Sequence, residues 1–215
     1  MVFRSTFAHT FAIDAGIATG VFVAVILLLV VSLTVSARRK GAPSQALSYR
    51  KAELVYVGLV AAAAGYLVTL SFTSNAHELS YAKRLGKPAV NVAVTAFQWC
   101  WDFKYLGTSE RVDGTCIGGR YPVLVVPTGK PVQIDLTSTD VVHNMWIPHL
   151  RFKLAAFPDH VNKFRFTIDK KGRWMGHCAE FCGIYHYTML FWLEAVSPAD
   201  FRHFISTHEL PAGSE

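Results

Sequence analysis

Four residues in the last fifth of the chain carry the side chains best suited to chemistry: Cys178, Cys182, His186 and Met189, spaced Cys-x3-Cys-x3-His-x2-Met. Thiolate and thioether are soft donors that select copper or similarly soft centres, and imidazole suits copper as well. A single blue-copper site needs one Cys, two His and a weak axial Met. The second Cys exceeds that need, and the simplest use of both sulfurs is to bridge two copper ions. Each ion then requires one His and one weak outer donor. His186 and Met189 supply one of each. The other His must come from elsewhere, and His143 in Asp140-Val-Val-His143, at the end of a strand-like run, is the best placed. The last weak donor can be a backbone carbonyl between the two cysteines.

Other readings of the same residues stay open. Cys178, Cys182, His186 and Met189 also fall at i, i+4, i+8 and i+11, one face of a helix, although Gly176, Gly183 and the surrounding strand pattern weigh against it. A Cys2His2 zinc site is chemically possible and leaves Met189 without a role. Cysteines can also pair as structural disulfides in an oxidising compartment. Cys100 and Cys116 flank an expected hairpin and can either pair or remain free thiols.

The elements that must position these residues fall into two parts. The chain has 215 residues, 52% of them hydrophobic and 17% charged, which excludes a disordered or fibrous protein. The apolar residues are concentrated: no charged residue occurs from Ala15 to Ala37 or from Leu54 to Ala76. Each run is long enough to cross a hydrocarbon core of about 30 Å. Arg38, Arg39, Lys40, Arg50 and Lys51 lie between them, against Glu53 alone. A signal peptide has the opposite polarity, and positive connectors stay on the cytoplasmic side. The expectation is a transmembrane hairpin over 1–76 (spans about 15–37 and 54–76), both termini outside, a polar linker over 77–88 and an exported domain over 89–215. The net charge of +6 divides into +4 before residue 77 and +2 after it. The basicity thus reflects topology, and with no basic stripe interleaved with aromatics, nucleic-acid binding is rejected.

In the exported part, Phe97, Trp99, Trp101, Phe103 and Tyr105 alternate with polar residues, which predicts one strand from Val90 to Tyr105 with an aromatic face. Further strands are expected at 121–126, 131–137, 162–168 and 188–196. Pro127-Thr-Gly129, Pro158-Asp159 and Lys171-Gly172 punctuate them. Only Pro198 to His208 reads as a helix. Short strands at this spacing suggest an antiparallel sandwich or barrel.

Two spans, then Gln98-Trp-Cys-Trp101, Asp140-Val-Val-His143-Asn-Met-Trp-Ile-Pro148 and Cys178-Ala-Glu-Phe-Cys182-Gly-Ile-Tyr-His186-Tyr-Thr-Met189 occur in that order. The chain resembles cytochrome c oxidase subunit II, the CuA-bearing subunit of haem–copper oxidases, from about residue 12 to 205. The resemblance implies an all-β, cupredoxin-like Greek-key barrel behind a two-helix transmembrane hairpin. It implies a dinuclear copper centre held by His143, Cys178, Cys182, His186, Met189 and the Glu180 carbonyl. It further implies a magnesium ion held partly by the Glu180 side chain at the contact with subunit I, Trp99 as the tryptophan through which electrons enter, and Glu53 as the glutamate at a proton-channel entrance. The chain departs from the family where Cys100 replaces the usual Tyr between the tryptophans and His177 replaces the Gln before the first ligand Cys. Its second span has Tyr56 and alanines where Trp and Pro are usual.

The function so implied is electron transfer in a respiratory cytochrome c oxidase of the cell inner membrane. Electrons would pass from cytochrome c, or a haem c domain of another subunit, to haem in subunit I, where oxygen reduction is coupled to proton pumping. No Cys-x-x-Cys-His is present for a fused c-type haem. The alternatives are the equivalent subunit of a nitric oxide reductase and a membrane-anchored copper-delivery or zinc-binding module.

Overall fold

The computed structural model describes residues 2–38 and 50–209. Arg39 and Lys40 of the basic connector and residues 210–215 of the expected exported domain lie outside them. The chain divides into two compact units, one of residues 5–78 and one built mainly of residues from 79 onward.

The first unit is made by α1 (Val2–Arg38) and α2 (Arg50–Arg84). Within them Phe7–Arg38 and Arg50–Ala76 are long and apolar enough to cross a membrane. Leu28, Leu33, Leu54 and Phe72 are exposed, a surface that needs an apolar covering. Two hydroxyls of the second span are satisfied locally, as hydrocarbon favours: Thr69 and Ser71 donate to the carbonyls of Gly65 and Leu67, at 2.8 and 3.0 Å. Thr10 and Ser74 link the two helices through their hydroxyls, 3.3 Å apart. α2 runs on past the apolar boundary, because the residues from Ala76 to Arg84 include good helix formers and no breaker. The stretch expected as a linker is therefore helical as far as Arg84. Gly86, in the left-handed region at φ 70°, then ends the helix.

The second unit holds ten strands in two five-stranded sheets. One contains β1 (Val90–Phe97), β2 (Cys100–Tyr105), β3 (Arg111–Asp113), β5 (Val132–Ser138) and β8 (Asn162–Phe166), in the order β3-β2-β1-β5-β8. The other contains β4 (Val123–Pro127), β6 (His143–Ile147), β7 (Phe152–Ala156), β9 (Gly172–Cys178) and β10 (Leu190–Val196), in the order β4-β10-β9-β6-β7. β1 pairs in parallel with β5 and β10 with β4, and the remaining pairs are antiparallel. Alternate residues point inward: Val92, Val94 and Ala96 from β1, Ile134 and Leu136 from β5, and Phe191 and Leu193 from β10 are fully buried.

The single aromatic strand expected over 90–105 is two strands. Gln98 and Trp99 form a two-residue turn, so Phe97 faces Cys100 while Ala96 faces Trp101. Paired residues share a face of the sheet. Trp101, Phe103 and Tyr105 therefore enter the core beside Ala96, Val94 and Val92, whereas Phe97 belongs to the other face and Trp99 to the turn. Strands β3, β6, β7 and β9 were not expected, and His143 opens a strand where the sequence suggested that it closes one. The C-terminal helix α3 (Pro198–Thr207) forms as read: the Ser197 hydroxyl accepts from Asp200 N at 3.1 Å, and Phe201 and Phe204 are buried against Tyr105.

Candidate metal centre

Two loops at one end of the sheets bring the soft donors together. His143 is held by the first position of β6, Cys178 by the last position of β9, and Cys182, His186 and Met189 follow in the connection to β10. That connection is fixed by backbone hydrogen bonds within itself and to β6. Cys178 N donates to Met189 O at 2.9 Å, Ala179 N to Asn144 O at 2.8 Å, and His186 N to Gly183 O at 3.1 Å. The thiol sulfurs of Cys178 and Cys182 lie 3.9 Å apart. His143 Nδ1 is 3.8 Å from Cys178 Sγ, and His186 Nδ1 is 3.4 Å from Cys182 Sγ. Met189 Sδ is 3.8 Å from Cys182 Sγ, and the Glu180 carbonyl is 3.3 Å from Cys178 Sγ. All six groups expected as ligands thus meet in one cluster.

The donors are withdrawn from water, with His143, Cys178, Cys182 and Met189 buried, while Phe181 and Tyr187 on the same loop are largely exposed. Burial opposes charge on both thiols, but its outcome differs. At Cys178 the hydrogen bond with His143 and the backbone groups of Asn144 and Glu180 outweigh burial and hold the thiol below its ordinary range. At Cys182 burial, reinforced by the negative charge of Cys178, pushes the thiol up to about 12. Burial disfavours protonation of His143, yet its bonds to Cys178 and Asp140 outweigh this and raise its pKa. Burial and mutual repulsion oppose two thiolates side by side, and a bound metal ion is what would allow both sulfurs to be anionic. The donor set fits soft metal ions: two donors each about 2.0–2.3 Å from one ion stand about 3.3–3.8 Å apart at a tetrahedral angle, close to the spacings found.

The other residues singled out take separate places. Trp99 lies in the β1–β2 turn, its indole Nε1–H donating to the Cys182 carbonyl at 3.0 Å and its ring meeting Tyr185 edge-on at 5.0 Å between centroids. The Glu180 side chain is exposed. Glu53 lies in the first turn of α2, in the other unit. Cys100 and Cys116 form a disulfide with Cα atoms 5.3 Å apart. Two residues with direct roles escaped the sequence reading. Asp140 holds His143 Nε2 at 2.8 Å, and Gln98 Nε2 donates to the Cys182 carbonyl at 2.6 Å. Asp140 stands three residues before the histidine, which is the only signal it gives; Gln98 opens the Gln98-Trp-Cys-Trp101 motif, but its residue type points to no contact with the cluster.

Fold and site together define a cupredoxin-like domain with a buried cluster of soft donors, preceded in the chain by two membrane-type helices. Residues 120–196 match the sequence profile of the family described as cytochrome C oxidase subunit II, periplasmic domain. The chain is 32% identical to the probable cytochrome c oxidase subunit 2 of Streptomyces avermitilis, over 59% of this chain and 53% of that protein. It is 30% identical to its namesake from Streptomyces coelicolor, over 68% of this chain and 60% of that one. The crystal structure of the periplasmic domain of subunit II of cytochrome oxidase from Bradyrhizobium japonicum superposes with a TM-score of 0.53 at 26% identity, covering 57% of this chain and 95% of that one. The β domain is thus similar to cytochrome c oxidase subunit II over residues 120–196, and two helices long and apolar enough to cross a membrane precede it in the chain. The matches span only a little over half the length of these two curated relatives.

Proposed function

We propose that this chain is the electron-transfer subunit of a respiratory haem–copper cytochrome c oxidase. In this reading His143, Cys178, Cys182, His186, Met189 and the Glu180 carbonyl hold a dinuclear copper centre. One observation carries it: two buried sulfurs 3.9 Å apart, each with its own imidazole nitrogen within 3.8 Å. A single zinc could also take two Cys and two His, but it would leave Met189 Sδ and the Glu180 carbonyl, 3.8 and 3.3 Å from the sulfurs, without a role, whereas a bridged copper pair uses all six groups. When bound, a copper pair sharing two thiolates supplies a one-electron carrier whose bond lengths change little on reduction.

The chain's own residues set the conditions. Asp140 on His143 Nε2 fixes the proton there and leaves Nδ1 as the donor. Burial excludes water from the sulfurs. Trp99, in hydrogen-bond contact with Cys182, is where electrons from cytochrome c, or from a haem c domain, would enter. They would leave to haem in subunit I, which with further subunits would carry out oxygen reduction and proton pumping. The exposed Glu180 carboxylate is available to a magnesium ion at that contact, and Glu53 is assigned the proton-channel entrance. In domain terms, 1–76 is the hairpin in lipid, 77–88 joins it to the copper domain of 89–215, and nucleic acid has no role. The Cys100–Cys116 disulfide supports placing the domain on the oxidising, periplasmic side of the inner membrane.

The full chain, purified in detergent and loaded with copper, should contain two coppers per polypeptide and show electron-spin hyperfine structure from two equivalent nuclei. Cys182→Ser should abolish that signal. One copper, or zinc instead, per wild-type chain rejects the reading in favour of a delivery or zinc module. Reduction of nitric oxide in place of oxygen by the co-purified complex would assign the chain to the other enzyme class.

A further inference from the structure

The β1–β2 turn touches both halves of the donor set. The Gln98 backbone N–H donates to Asp140 Oδ2 at 2.6 Å, and Asp140 Oδ1 holds His143 Nε2. The Gln98 side-chain Nε2 donates to the Cys182 carbonyl at 2.6 Å, and Trp99 Nε1 donates to the same oxygen at 3.0 Å. A carbonyl oxygen has two acceptor positions, and here a neighbouring pair of residues fills both. The fit is close. A Cβ on Gly183, whose φ is 117°, would stand 3.1 Å from Trp99 Nε1 and 3.2 Å from Gln98 Nε2, so the bare glycine is what lets both donors approach. The residue that follows the turn, Cys100, is buried and covalently tied to Cys116. On the other flank, Thr139 N donates to Ala96 O at 3.1 Å, which binds the loop bearing Asp140 to the strand leading into the turn.

We propose that Gln98 is a positioning residue. With Trp99 it clamps the Cys182 carbonyl, through Asp140 it couples that clamp to His143, and the Cys100–Cys116 disulfide braces the turn that carries it. The two metal-binding loops are thereby held in register before any metal arrives, the preorganisation that a precise site needs. The inference deepens the copper reading and rests on it for the identity of the metal, but the clamp also acts on the metal-free chain.

The experiment uses the full chain and three variants: Gln98→Met, which keeps size and removes the donor; Trp99→Phe; and Cys100→Ser with Cys116→Ser. Wild type is first shown to bind two coppers; failure there overturns the copper reading and leaves the clamp to be judged on the metal-free readout. Copper release to a chelator should then quicken about tenfold in Gln98→Met, in line with the effect of removing groups that orient ligands. The two-copper signal should persist with altered hyperfine splitting. In the metal-free chain, alkylation of Cys182 should accelerate about threefold or more, the scale of one lost hydrogen bond. Removing the disulfide should move both rates the same way with Gln98 intact. Combining it with Gln98→Met should add less than the two effects multiplied, because both loosen one turn. Release and alkylation rates equal to wild type in Gln98→Met overturn the proposal. Trp99→Phe, which removes the second donor to the same carbonyl, should quicken both rates in the same direction, and if the disulfide variant does not fold, wild-type rates in Gln98→Met still overturn the proposal.

Discussion

His143 is fully buried, and its two ring nitrogens face different partners: Nδ1 looks to the Cys178 sulfur, Nε2 to the Asp140 carboxylate. Asp140 is itself held by the backbone N–H groups of Gln98 and Val141, both at 2.6 Å. Replacing it with Asn leaves the fold intact and removes the negative charge that orients and strengthens the imidazole. Asp140→Asn is expected to weaken copper binding about 10–100-fold, measured by competition with a chelator of known affinity; an unchanged affinity would show that the carboxylate only caps its loop. The soft side chains that meet in the cluster were legible in the sequence because softness and spacing are properties of residue type. Asp140 was visible only as a neighbour of His143. Gln98 was visible only as the first residue of the Gln98-Trp-Cys-Trp101 motif and its contact was not, because its partner lies 84 residues away along the chain and an amide side chain has no chemistry of its own to betray it.

At the scale of elements, the helices and the regular strands could be read, since charge-free runs and strict alternation reflect burial directly. The alternation from Phe97 to Tyr105 misled because a two-residue turn interrupts the strand without interrupting the pattern of residue types. Strands β3, β6, β7 and β9 went unread for a different reason. They are short and mix charged and polar residues or Gly with apolar ones, so their conformation comes from pairing with neighbours more than from intrinsic preference. Tyr105 shows what that pairing builds. Its ring is buried between β4 and α3, and its hydroxyl exchanges hydrogen bonds with both Val125 O and Val125 N, each at 2.8 Å. Burial raises its pKa well above the ordinary value of 10.0. The sign follows: Tyr105 contributes fully below pH 10, and that contribution is lost as pH climbs past 10 toward the folded pKa, because the unfolded chain ionises first. By pH 11 the loss should be about 1.4 kcal/mol. Denaturant titrations of the chain and of Tyr105→Phe between pH 9 and 11 check it. The Phe variant should start less stable and decline less steeply; parallel slopes would mean that the hydroxyl is reached by solvent.

The whole molecule combines a unit that needs an apolar solvent with one whose core is self-sufficient, and its charge is divided accordingly. The net +4 before residue 77 lies almost wholly in Arg38, Arg39, Lys40, Arg50 and Lys51, next to the ends of the two spans. Lys and Arg this close to span ends determine orientation, while acidic residues count little, so Glu53 does not offset them. The connector should therefore stay in the cytoplasm and the β domain should be exported, where its disulfide can form and persist. An alkaline phosphatase reporter, active only outside, fused after residue 209 should be active, and the same reporter fused within the connector should be silent. Changing all five basic residues to Gln should reduce the activity of the C-terminal fusion and leave Cys100 and Cys116 reduced in the chains that invert, detected by thiol labelling of denatured protein. Full activity of the C-terminal fusion in that variant would mean that the spans, and not the connector's charge, orient the chain.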